Sequence, residues 1–88
     1  MGLDVVELVM DIEREFSVEL PDDRLNGVRT VGELYALVAE MAGEGWPVPP
    51  TTGDAHWQQF TRRVVRDLGV EPERVTWQAE FRRDLGAN

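Results

Sequence analysis

Residues 81–88 read FRRDLGAN and residues 1–10 read MGLDVVELVM, so the closing segment reads like the lead-in to the opening one. In the opening stretch Val5, Leu8, Val9, Ile12 and Phe16 recur at three- and four-residue steps, the mark of a helix with one buried stripe. Asp4, Glu7, Asp11, Glu13 and Glu15 crowd its remaining surface. The first two fall in the early turns, where the helix dipole favours anions. The helix is expected to end near Ser17, because SVELPDD is β-branched, polar and then interrupted by Pro21.

Residues 21–29, PDDRLNGVR, read as a loop with at most one helical turn, and Gly27 marks a break. Thr30 and Glu33 have capping-box spacing. Behind them Val31, Leu34, Tyr35, Val38 and Met41 form a second stripe to about Ala42. Residues 43–54, GEGWPVPPTTGD, collect three glycines and three prolines and form a linker. Their Pro47-Val48-Pro49-Pro50 matches a P-x-x-P spacing but lacks a flanking arginine, so a stiff connector is the better reading. Asp54 suits the N-cap of a third helix with Trp57, Phe60, Val64 and Leu68 inward, and Gly69 suits its end. The stretch after it is irregular, anchored by Val70, Val75 and Phe81. Trp57 and Trp77 are expected in the core, Trp46 over an apolar surface fastening the linker, and His56 on the surface. Three firm helices and no defensible strand make an all-α bundle.

Eighty-eight residues suffice for one domain with a modest core, expected to span 1–88. With 42% hydrophobic and 30% charged residues the chain falls in the ordinary globular class. There is no cysteine, which removes thiol catalysis, disulfides and thiolate-bound metal. No apolar run nears the roughly 18 residues of a membrane span and no signal peptide is visible, so the default is a cytoplasmic protein. The net charge of −8 is uneven: residues 1–54 hold twelve acids and three arginines, residues 55–88 five acids and six arginines. The acidic half disfavours nucleic acid and anionic membrane and favours partners with basic patches.

The first half, residues 1–42, resembles the second half of an acyl carrier protein. Gly2-Leu3-Asp4, Val6-Glu7-Leu8-Val9-Met10, Glu13, Glu15-Phe16, Leu20-Pro21-Asp22 and Thr30-Val31 fall in register with that family's DSLDxVELVMxLExEF, I-P-D and T-V segments. Residues 55–88 resemble the family's first half: Leu68-Gly69-Val70, Pro72-Glu73, Val75-Thr76, Ala79, Phe81 and Asp84-Leu85-Gly86-Ala87 follow its LGV, PE, VT and DLGA pattern. The order is reversed. Asn88 followed by Gly2 rebuilds the family's DLGAD-SLD junction, so the resemblance implies a circularly permuted three- or four-helix carrier bundle. Permutation is tolerated where termini lie close together at the surface. The twelve-residue linker reaches at most about 40 Å, against about 21 Å for a 14-residue helix, so the halves can close within one chain. A monomer is favoured because such closure is independent of concentration, with a domain-swapped dimer as the alternative. Asn88 is expected near the first amides of the opening helix.

In the carrier family the serine of DSL receives phosphopantetheine. Gly2 stands at that position and has no hydroxyl to form the phosphodiester. The one serine, Ser17, lies at the other end of the same helix. His56 has no nucleophile beside it in sequence, and the acidic pairs lack the ligand alternation and glycine of a calcium loop. No catalytic residue, cofactor or metal is expected, and the chain is not read as an enzyme. The resemblance makes the acidic helix a docking face for a basic protein partner, carried by Asp4, Glu7, Asp11, Glu13 and Glu15 with Met10 as an apolar contact. Read as residues alone, the same acids serve equally as a solvated helix face. Two other readings stand beside the interaction module: a genuine acyl or peptidyl carrier, and a structural domain assembling by exchange of halves.

Overall fold

The computed structural model describes residues 3–87, with Leu3 described by its backbone alone. Four helices follow one another: α1 (Leu3–Phe16), α2 (Asp22–Leu25), α3 (Val31–Ala42) and α4 (Ala55–Leu68), with a single 3-10 turn at Pro72–Arg74. Among the described residues the only extended pairing is one antiparallel bridge, Thr30 to Glu80.

Each boundary has a local cause. Val5, Leu8, Val9 and Ile12 are buried along one side of α1. The helix stops at Phe16 because Ser17 takes a left-handed φ of 55° and Val18 N–H reaches back to the Glu13 carbonyl at 3.1 Å. That closure normally uses glycine, which has no Cβ to clash. The Glu13 carboxylate then accepts from Leu20 N–H at 2.8 Å and holds the outgoing loop against the helix end. At α3 the Thr30 hydroxyl accepts from Glu33 N–H, while the Glu33 carboxylate accepts from the backbone of Arg29 and Thr30. Those bonds, from Arg29 first and Thr30 second, outweigh burial and hold the Glu33 carboxyl below the usual range. Asp54 caps α4 through His56 N–H, and Gly43 and Gly69 close α3 and α4 in the left-handed conformation.

α3 is the centre of the molecule. Val31, Leu34, Tyr35 and Val38 have no exposed surface, and Leu8 and Ile12 of α1 and Phe60 and Val64 of α4 join them in one core. The two halves meet in three places within this one chain. α1 packs along α4. Residues 77–81 lie across the start of α3: Val31 N–H donates to the Ala79 carbonyl and Gly32 N–H to the Trp77 carbonyl, both at 2.9 Å. These bonds satisfy amides that the first turn of a helix leaves without partners. The contact is close, because a Cβ built on Gly32 would lie 2.6 Å from the Trp77 ring and from its carbonyl oxygen.

The third meeting point is Trp46. It is nearly fully buried, edge-on to Phe16 at 5.5 Å and stacked on the His56 ring at 4.1 Å. The linker is therefore pinned at one aromatic residue. His56 lies at the surface with its side chain 45% exposed, and its ring stacks on Trp46. One expectation needs correction here. Trp57 and Trp77 are not enclosed in the core but half-buried at its margin, each packed on Tyr35. Both rings keep one side open, as their size commonly requires.

Candidate partner-docking face

The six positions that sequence assigns to a docking face fall into two sets. Asp4, Glu7 and Met10 are exposed on α1, with Met10 54% exposed and Val6 beside them 37% exposed. Two apolar side chains among acids form a surface that water solvates poorly at its centre and well at its edge.

Asp11, Glu13 and Glu15 are half-buried and face the protein itself, contrary to the expectation of an open acidic side. Glu13 holds Leu20 N–H, as described. Glu15 accepts from Arg63 Nε at 2.8 Å and from Gln59 Nε2 at 2.7 Å, both on α4. Burial pushes the Glu15 carboxyl up, but these bonds outweigh it and hold the group below the usual carboxylate range. Asp11 takes Arg14 Nη2 at 2.5 Å. Arg63 also reaches Asp67, 3.3 Å away. Arg63 and Asp67 are the partners that sequence reading missed. Their four-residue spacing beside buried Phe60 and Val64 was the available signal, since it places both on the flank of α4 that borders the core.

Gly2, which the resemblance sets at the attachment position, lies outside the described residues, as do Met1 and Asn88 with its expected capping role. Three hydroxyls of the first half can still be placed. Residues 1–16 contain no serine, threonine or tyrosine. Ser17 stands at the far end of α1, about 21 Å along the helix axis from its start. Thr30 is committed to its capping box. Tyr35 is enclosed among aromatic rings, and burial, then the nearby Asp54 charge, push its phenol up to about 12. It stays protonated and out of reach. Residues 3–16 of α1 thus carry no hydroxyl.

One cleft of about 260 Å³ lies elsewhere, between α4 and the 72–75 turn, lined by Trp57, Arg62, Val65, Pro72 and Val75 among others. It holds no carboxylate, histidine or thiol. Among the described residues no group of three acids or histidines is placed to hold a metal ion. No described helix is long and apolar enough to cross a membrane.

What these features define is a small helical domain with one acidic, partly apolar helix face. A family described as "Phosphopantetheine attachment site" matches residues 3–38, beginning one residue after Gly2. The acyl carrier protein of Picosynechococcus sp. (strain ATCC 27264 / PCC 7002 / PR-6) is 49% identical over 42 residues, which make up 48% of this chain and 52% of that protein. The chain thus spans about half the length of the curated relative it matches. No solved structure matches it.

Proposed function

We propose that this chain is a carrier-like, non-enzymatic interaction module that presents α1 to a basic patch on a protein partner and holds no phosphopantetheine. The observation that carries the reading is the pairing of Met10 with exposed Asp4 and Glu7 on the helix whose sequence matches the carrier family, next to a helix start without a hydroxyl. Asp11, Glu13 and Glu15 belong to the same face as its inner border. They shape it through their own contacts and add long-range potential. Gly2 stands where the family has its attachment serine.

In this reading residues 55–88 supply the part of the bundle that precedes the acidic helix in the family, 43–54 is the crossover, and 1–42 supplies the rest. The order of the two blocks is what makes the arrangement permuted. It draws support from the 77–81 segment seated on α3, from α4 along α1, and from Leu85 and Ala87 buried in the same core as Val5 and Leu8. The working form is a monomer in the cytoplasm.

Two measurements test the proposal. The chain is incubated with coenzyme A and a phosphopantetheinyl transferase, and its intact mass is read; no gain is expected, and a gain of one phosphopantetheine makes it a genuine carrier. Binding to the same transferase, a protein that recognises carriers, is then titrated by calorimetry. Glu7→Lys should weaken it at least tenfold while Arg82→Glu, on the other half, leaves it unchanged. Equal affinities for all three proteins would refute α1 as the docking face. Light scattering over a dilution series separates the monomer from exchange of halves between chains.

A further inference from the structure

We propose that the cleft between α4 and the 72–75 turn is a binding site for a small aromatic monocarboxylate, with its ring against Trp57 and its carboxylate held by Arg62. This rests on α4 and the turn and not on the docking reading.

The cleft measures about 260 Å³, somewhat below the volume of pockets that enclose drug-sized ligands, so it suits one ring with a short tail. One wall is a single strip of α4, where Trp57, Thr61 and Val65 recur every four residues with Arg62 beside them. Pro72 and Val75 form the other side. These walls are set before any ligand arrives. The half-buried Trp57 ring packs on Tyr35 at 5.1 Å, on Trp77 at 5.8 Å and on Phe60 at 6.0 Å. Val75 is buried, and its N–H donates to the Pro72 carbonyl at 3.1 Å. At the rim the Gln58 side-chain amide donates to the Thr52 carbonyl at 3.0 Å and ties the end of the linker to the helix. Little ordering is left to oppose binding.

Charge selects the ligand. Arg62 is the one charged residue among those lining the cleft. Among the described residues it enters no ion pair, and its one hydrogen bond runs from Nε to the Gln58 carbonyl of its own helix at 3.4 Å. Nη1 and Nη2 are left for an acceptor from outside, and a guanidinium offers a carboxylate two parallel donors. Arg66, one turn further along α4, adds a second exposed cation. Glu71 and Glu73 flank Pro72 in sequence, but neither lines the cleft. A cation would find no carboxylate there, and a plain hydrocarbon would leave the guanidinium unanswered. The open side of the Trp57 ring favours a flat apolar body, which it can meet edge-on or offset. The lining has no carboxylate, histidine or thiol to activate Thr52 or Thr61, so the ligand is held and not transformed.

The test titrates the full chain, labelled with nitrogen-15, with 4-phenylbutyrate and with its uncharged counterpart 4-phenylbutanamide at neutral pH. A ligand of this size binds in the millimolar range. Saturable shifts are expected at the Trp57 indole N–H and at the amides of Thr61, Val65 and Val75. The acid should bind about fivefold more tightly than the amide, the factor that goes with an exposed charge pair. Arg62→Gln should remove that preference while the amide still binds, which also reports that the cleft is intact. Arg82→Gln, exposed and outside the cleft, should keep the preference. Shifts that do not saturate or that lie elsewhere, equal affinities for acid and amide, or an Arg62→Gln protein that still prefers the acid would overturn the proposal. A peptide with a phenylalanine between two acids that fills the same cleft more tightly than 4-phenylbutyrate would also overturn it, by assigning the cleft to a protein partner.

Discussion

Gly32→Ala tests whether the segment 77–81 is seated on α3. In an isolated helix alanine is better than glycine by about 1 kcal/mol, so local propensity alone expects a gain. Tertiary contact expects the reverse. The new methyl would stand 2.6 Å from Cδ2 and Cε2 of Trp77 and 2.6 Å from its carbonyl oxygen, and that oxygen also accepts Gly32 N–H at 2.9 Å. The ring can turn but the carbonyl is backbone, so the whole segment must lift. Forcing a methyl into such a contact costs about 1–3 kcal/mol, and weakening the hydrogen bond adds about 1 kcal/mol. Set against the propensity gain, the net loss is about 2 kcal/mol, which in a domain of this size lowers Tm by roughly 10 °C. The assay is a thermal melt followed by far-ultraviolet circular dichroism. Trp77→Leu in the Gly32→Ala background should recover part of the loss, because it removes the ring contacts and leaves the carbonyl one. An unchanged or raised Tm in Gly32→Ala would mean that 77–81 does not lie on α3, and the packing of the two halves described above would be wrong.

Ser17→Gly should stabilise the protein by about 1 kcal/mol, since it relieves a left-handed φ of 55° at the end of α1; urea unfolding reads this, and a loss of stability refutes the helix closure. Trp46→Ala should cost about 3 kcal/mol by removing a buried ring that touches Phe16, Tyr35 and His56, and limited proteolysis should then cut within 43–54 faster than in the wild type. Glu33 is held below its usual value of 4.5, so its share of stability is present above 4.5 and lost as the pH falls through the lower folded value. Glu33→Gln should flatten that part of the acid limb in a pH series of unfolding midpoints, and an identical acid limb in both proteins would refute the role of its backbone bonds.

The helices were legible because their ends are written locally. Thr30 with Glu33, Asp54, Gly43 and Gly69 act within three or four residues of themselves, and the boundaries at 31–42 and 55–68 follow from them. The site was legible only in composition. An acid facing water and an acid facing an arginine look the same in a sequence, and Glu15 meets Arg63 across 48 positions. The stacking of His56 on Trp46 escaped notice for the same reason, since the pairing depends on how a proline-rich linker turns. Residues 77–81 read as irregular because they form no repeating structure, yet their carbonyls complete the first turn of α3. Nothing within the segment itself indicates that; only the unsatisfied amides at the other end of the contact call for it.

The division of α1 into outward and inward acids bears on how a partner would bind. Twelve acids in residues 1–54 create the field that a basic protein meets at a distance, and that field sets the rate of encounter and its dependence on salt. Contact is another matter. Glu15 and Glu13 already hold Arg63, Gln59 and Leu20, so a partner arginine would have to displace those donors and leave Gln59 Nε2 or Leu20 N–H without its acceptor. That exchange gains little, because one charge-assisted bond replaces another and a half-buried donor is orphaned. Glu7 is exposed beside Met10 and Val6, and the apolar pair can lose its water on contact. On the proposed docking reading, steering would belong to the acidic half as a whole, while grip would come from Glu7 and Met10. Removing inner acids should destabilise the protein more than the complex, and removing outer ones the reverse.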